Sequence, residues 1–248
     1  MCSSDLALGH MLETRGIATV AIASVLPQVE KTRPPRALMV PFMLGRPFGE
    51  PNDIAFQQRV LLQALGLIES PAGPVILAHF PDDNPSWSDR AGWRSSADLP
   101  APGSPDSPAA WEAALRDELA VVRPAWVRFT QRFQRTTVGL SGLDPADWPA
   151  FAASFLAGGL PALPLHGTPA LSLRFVVDDL KALYGEAAQA DGDPPSARQI
   201  DRWFWGEALA GRFLRALRIA ALESSDNGLK TVGGRFFVPA PHLSGDGG

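Results

Sequence analysis

The sequence predicts an α/β protein: a small parallel sheet of the doubly wound type in the first third, then a mainly helical part. Three observations predict it. Short apolar, β-branched runs alternate with helical patterns up to about residue 80. A stretch rich in Pro, Asp and Ser interrupts the chain at 81–108, and beyond it the apolar residues recur at helical spacing. The expected division is an α/β half-domain over 1–80, a linker over 81–108, a mainly helical domain over 109–238 and a disordered tail over 239–248.

Each element has its own warrant. Ser4 or Asp5 caps a helix over 6–15, with Gly16 placed to end it. The run 17–22 is continuous and β-branched, as a buried strand is. A Pro-rich turn at Arg33-Pro34-Pro35 precedes a second strand over 37–42. The loop 44–53 leads into a helix over 54–69, whose Val60, Leu61, Ala64, Leu65 and Ile68 share helical spacing. Residues 71–74 break that helix, and 75–80 form a third strand. Strand, loop, helix and strand imply a right-handed βαβ unit. A helix ahead of the first strand reads as a doubly wound fold entered one strand late.

In the second part, 109–134 is helical, kinked or divided at Pro124. Residues 136–140 form a short strand, and Asp144 or a neighbour caps a helix ending at Leu156. A helix over 172–188 carries Asp178 and Asp179 on different faces. Ser196-Ala-Arg-Gln199 is a capping box opening one long helix to about Glu223. Trp203-Phe-Trp205 within it reads as core or interface, and Gly206, Ala210 and Gly211 suit a close neighbour.

Composition narrows the function classes. Net charge is −4 and the 22 Lys and Arg are scattered, so no basic stripe points to nucleic acid. No run approaches the roughly 20 apolar residues of a membrane helix, and no signal peptide is read. A single cysteine forbids an internal disulfide and fits a reducing compartment, so a cytoplasmic location is expected. No cofactor and no metal set is read. His79-Phe-Pro-Asp-Asp83 ends a strand, yet its spacing matches no zinc pattern.

The runs Leu12-Glu-Thr-Arg-Gly-Ile-Ala-Thr-Val20, Arg33-Pro-Pro-Arg-Ala-Leu38 and Pro41-Phe-Met-Leu-Gly-Arg-Pro-Phe-Gly-Glu-Pro-Asn-Asp53 resemble the C-terminal part of selenoprotein B-type subunits. That family comprises the glycine, sarcosine, betaine and D-proline reductases. The likeness covers about residues 2–80, and Gln58–Leu67 continue it. In the family a selenocysteine or cysteine precedes the Gly-Ile-x-Thr-Val strand at a helix start, where it attacks substrate. The resemblance carries that role to Cys2. It implies an oxidoreductase acting on a small amino-acid-derived substrate, with a thioredoxin-like protein or a reductase complex as redox partner. The chain has one cysteine and no counterpart of the family's large N-terminal portion. With Met1 directly before Cys2, this implies a truncated or mis-started reading frame.

Physical chemistry leaves alternatives beside that reading. Cys2 at a helix start is either a thiolate stabilised by free amides and the helix dipole, or a bystander in a mobile terminus. The loop after the second strand lies where ligands of open α/β sheets bind. Its Arg46 can grip a carboxylate through two parallel hydrogen bonds, while Gly45 and Gly49 let the backbone approach. Alternatively the loop is a Pro-shaped turn in which Asn52 or Asp53 caps the next helix. His10 is a candidate proton donor, about two turns from Cys2, or a surface histidine. Gly139-Leu-Ser-Gly142 fails the Gly-x-Ser-x-Gly nucleophile pattern at Leu143 and reads as a turn. The competing function is a catalytically inactive binding or assembly protein on the same fold, using an open sheet edge.

Overall fold

The computed structural model describes residues 3–42, 47–49, 52–70, 74–82, 89–101 and 103–243, the first three of them by backbone alone. The protein is mixed α/β and divides into two compact units, 1–88 and 89–248.

The first unit runs α1 (Ser3–Glu13), β1 (Ala21–Ala23), α2 (Leu26–Thr32), β2 (Arg36–Met39), α3 (Ile54–Gly66) and β3 (Ile76–His79). The strands form a parallel sheet in the order β1-β2-β3, with Ala21 opposite Ala37 and Ala37 opposite Leu77. Alternation along the strands sorts the helices onto two faces. Leu38 and Val40 join Phe56, Val60 and Ala64 of α3 on one face. Ala23, Ala37 and Met39 join Leu6 of α1 and Val29 of α2 on the other.

The chain steps in the same direction at both crossovers, yet α2 and α3 lie on opposite faces. The two crossovers therefore have opposite hands, so only one of them can be right-handed. Helix α2 is the element that the pattern hid. It is seven residues long, begins with Pro27 in its first turn and buries Val29 alone.

The second unit is helical: α4 (Pro108–Phe133), α5 (Trp148–Leu156), α6 (Pro169–Ala187), α7 (Ala197–Arg202), α8 (Leu209–Glu223) and α9 (Asn227–Val232). One core is shared by α4, α5, α6 and α8, with Trp148, Tyr184, Phe129 and Phe213 fully enclosed. Helix α4 runs unbroken through Pro124. The capping box at Ser196 forms as expected, with Gln199 accepting from the Ser196 amide and Ser196 accepting from the Gln199 amide.

Four expectations are corrected here. The single long helix after Ser196 is broken: a π-helical turn over Trp203–Glu207 is followed by extended Ala208, and α8 begins afresh. A Cβ on Gly211 would stand 2.3 Å from the Phe204 carbonyl oxygen, so only glycine lets the two segments meet. The strand expected at 136–140 does not form, because the Thr137, Gly139 and Leu140 amides are taken by carboxylates of α6. From Asp89 onward the supposed linker is built into the helical unit. There the Arg90 amide and carbonyl both bond Gln199, while Asp89 bonds Ser196 and Arg202. Lastly, 239–243 of the supposed tail is ordered: the His242 ring stacks on Trp205 and bonds Asp201 at 2.8 Å.

Candidate functional site

Three loops leave the carboxyl ends of the strands, where open parallel sheets bind their ligands. The direction of α1 decides what else reaches that edge. Gly9 packs so close to the amino ends of the strands that a Cβ there would meet Thr19 Oγ1 at 3.3 Å and Pro35 Cδ at 3.5 Å. One turn later Glu13 accepts from the Thr19 amide at 2.6 Å and pairs with Arg36 at 2.6 Å, again at the amino ends. Leu6, by contrast, belongs to the cluster with Ala23 and Met39, the last residues of β1 and β2. Helix α1 is therefore antiparallel to the sheet, and its first turn points toward the carboxyl edge. The Thr19 amide, then the Thr19 hydroxyl and Arg36, hold the Glu13 carboxyl below its ordinary value against an opposing effect of burial.

At that edge the β2–α3 loop is fixed from its far end. Asp53 caps α3 by accepting from the Phe56 amide at 3.1 Å. Gly49 and Asn52 hold φ of 86° and 68°, as the turn reading requires. Phe42, Phe56 and Phe80 close the space beneath, ring centroids 5.4–5.7 Å apart. Arg59 lies over the Phe56 and Phe80 rings and pairs with Asp82.

The expected site residues fare differently. Cys2, Gly45 and Arg46 lie outside the described residues. Gly49 stands in the loop as expected. His10 does not face the carboxyl edge: its Nε2 lies 3.2 Å from the Thr32 carbonyl oxygen at the end of α2. Seven residues separate it from Ser3, about 10 Å along the helix axis, so it anchors α1 to α2. Of the His79–Asp83 run, Asp82 is engaged by Arg59, and Asp83 lies outside the described residues.

Elsewhere Ser141, His166 and Asp179 come together in the second unit, and their geometry is not that of a nucleophile with its base. The Ser141 hydroxyl donates to Asp179 at 2.6 Å rather than to the imidazole. His166 Nε2 lies 2.8 Å from the Leu140 carbonyl oxygen, and Ser141 is buried. Asp179 also accepts from the Gly139, Leu140 and Ser141 amides, so it holds a loop in place.

Two further buried carboxylates work alike. Glu186 accepts from Trp126 Nε1, the Thr136 hydroxyl, and the amide and hydroxyl of Thr137. Glu118 accepts from the Tyr184 hydroxyl and from the Leu209 and Ala210 amides that open α8. Burial first, then the Glu118 charge, raises the Tyr184 phenol well above its ordinary value, so it stays a donor. Reading Asp178 and Asp179 as facing apart was sound: Asp178 pairs outward with Arg174 and Lys181. The structural weight of Asp179 and Glu186 was missed, although a signal existed. Both occupy the spacing of Val176, Leu180, Leu183 and Ala187, where an acid must be buried and bonded.

A cleft of about 820 Å³ in the second unit lies between 92–101 and the π-helical turn. Its Gln199 and Arg202 are already committed to Arg90 and Asp89. In the first unit a groove of about 260 Å³ follows α1 and the open edge of β1, lined by Leu6, Leu12, Val20 and Ile22. No helix among the described residues is long and apolar enough to cross a membrane. The chain matches no protein-family model, no curated protein and no solved structure.

Proposed function

We propose that the protein is a thiol-dependent oxidoreductase of the glycine, betaine, sarcosine and D-proline reductase type. Its sheet is, on this reading, the remnant of a doubly wound one, and its substrate is a small amino-acid derivative. The supporting observation is the polarity of α1, whose first turn points to the same sheet edge from which the β2–α3 loop departs. Cys2 precedes that turn in sequence, and Arg46 belongs to that loop.

In this mechanism the Cys2 thiolate displaces a leaving group from the substrate carbon and forms a carbon–sulfur bond. The substrate carboxylate is held by Arg46, with Gly45 and Gly49 admitting it to the backbone. A thiol of a dithiol partner then attacks the Cys2 sulfur. The carbon leaves with the bonding pair and takes a proton, and a second partner thiol frees Cys2. The partner supplies both electrons and ends as a disulfide. His10, whose ring bonds the end of α2, is given no part in this mechanism.

Turnover with dithiothreitol as the dithiol tests this, using glycine, betaine, sarcosine and D-proline in turn. Reduced product should appear for one of them. Cys2→Ser should abolish it, and Arg46→Ala should raise KM about tenfold or more. Product formation unchanged in Cys2→Ser would refute the mechanism.

The alternative is a binding or assembly protein without chemistry. The observation that favours it is the apolar outer face of α3, where Ile54, Leu61, Leu62 and Leu65 are exposed.

A further inference from the structure

Helix α8 is closed at its start by Glu118 and left open at its far end. Its last turn holds no basic side chain, and Ser224 leaves the helix extended, at φ −60° and ψ 152°, without a cap hydrogen bond. Among the described residues no later amide bonds the carbonyls of Ala220, Ala221, Leu222 or Glu223. Helices α3, α4, α5 and α6 each close with an amide at this position. The end of α8 therefore keeps its unpaired carbonyls and the negative pole of the helix dipole.

A cavity of about 330 Å³ lies against that end, with Ala220, Ala221 and Glu223 in its wall. The rest of the wall includes the buried apolar side chains Phe155, Leu173, Leu217 and Leu229. Glu223 is the one charged residue that lines it, and among the described residues its carboxylate has no hydrogen bond or ion pair. We infer that this cavity binds a small organic ammonium ion with an apolar body.

Charge and shape select that ligand. The volume suits a ring-sized molecule, and the apolar wall takes its body. An ammonium group supplies both positive charge and N–H donors, which answer the Glu223 carboxylate and the open carbonyls together. An anion would meet repulsion from both. A bare metal ion would want several oxygen ligands, and the described residues hold no cluster of three acidic, His or Cys side chains. Every residue used here belongs to the helical unit, so the inference is independent of the thiol chemistry.

The test titrates the full chain with benzylammonium, benzyl alcohol and benzoate, reading backbone amide chemical shifts. Benzylammonium should give saturable shifts at Ala220–Ser225 and Leu229, and should bind about tenfold more tightly than benzyl alcohol. Benzoate should leave those amides unmoved. Glu223→Gln should cut the preference for the cation about threefold, since the helix end keeps its share. Ala220→Leu, which fills the cavity, should remove binding of both probes with the circular dichroism unchanged. No saturable shift at those amides, equal affinity for cation and alcohol, or a preference indifferent to Glu223→Gln overturns the proposal.

Discussion

Glu118→Ala should destabilise the helical unit by about 3–5 kcal/mol, among the largest effects any single substitution in this chain can have. The carboxylate is fully buried and accepts three hydrogen bonds, two from the amides of Leu209 and Ala210 and one from the Tyr184 hydroxyl. Removing it leaves three donors enclosed without water. The amides matter most, because Ala208 is extended and α8 starts with no side-chain cap of its own. Helix α8 supplies Phe213, Leu214 and Leu217 to the core, so a frayed start exposes apolar surface as well. Tyr184→Phe removes one of the three bonds and should cost about 1–2 kcal/mol. Urea denaturation of both variants checks the order. Equal losses, or a loss within about 1 kcal/mol for Glu118→Ala, would show that the amides find other partners.

Asp179→Ala should cost a comparable amount, about 3–5 kcal/mol, through a different part of the unit. Asp179 is buried and holds the Gly139, Leu140 and Ser141 amides together with the Ser141 hydroxyl, at 2.6–2.9 Å. The segment 136–143 has no strand partner, and Gly139 and Gly142 hold positive φ, so these bonds define its path. Asp178→Ala supplies the control one residue away. Its partners Arg174 and Lys181 are half-buried and at 3.4 and 3.7 Å, so the change should stay within about 1 kcal/mol. Amide exchange read residue by residue separates the two: Asp179→Ala should release protection at Gly139–Ser141, and Asp178→Ala should not.

Much of the architecture was legible because it rests on local periodicity. The runs 37–42 and 75–80, the helical spacing of α3, α4 and α6, and the Ser196 capping box need no knowledge of distant residues, whereas the run expected as a buried strand over 17–22 is strand only from Ala21 and leaves Ile17 exposed. What escaped depends on partners far along the chain. The run at 136–140 has strand-like composition, and only carboxylates about 40 and 50 residues later make a bonded loop better satisfied than a sheet edge. The break at Trp203–Ala208 is similar, since Glu118 lies about 90 residues before the amides that it caps. Leu61 and Leu65 share the helical spacing of Val60 and Ala64, which conceals that they face the opposite way. At the sheet edge, Gly49 and the Asp53 cap were readable from turn and cap chemistry. Of the two readings of His10, the surface one agrees with its exposure, and its contact with the end of α2 depends on the direction of α1, which turn counting cannot supply.

The rate of Cys2 alkylation by iodoacetamide across pH tests the central claim most directly. If Cys2 is the proposed nucleophile, it should react as a thiolate with an inflection clearly below the ordinary value of about 8.5. The signal should vanish in Cys2→Ser. An inflection at or above that ordinary value would contradict the account, for the sulfur would then be an unassisted thiol with no claim on the chemistry.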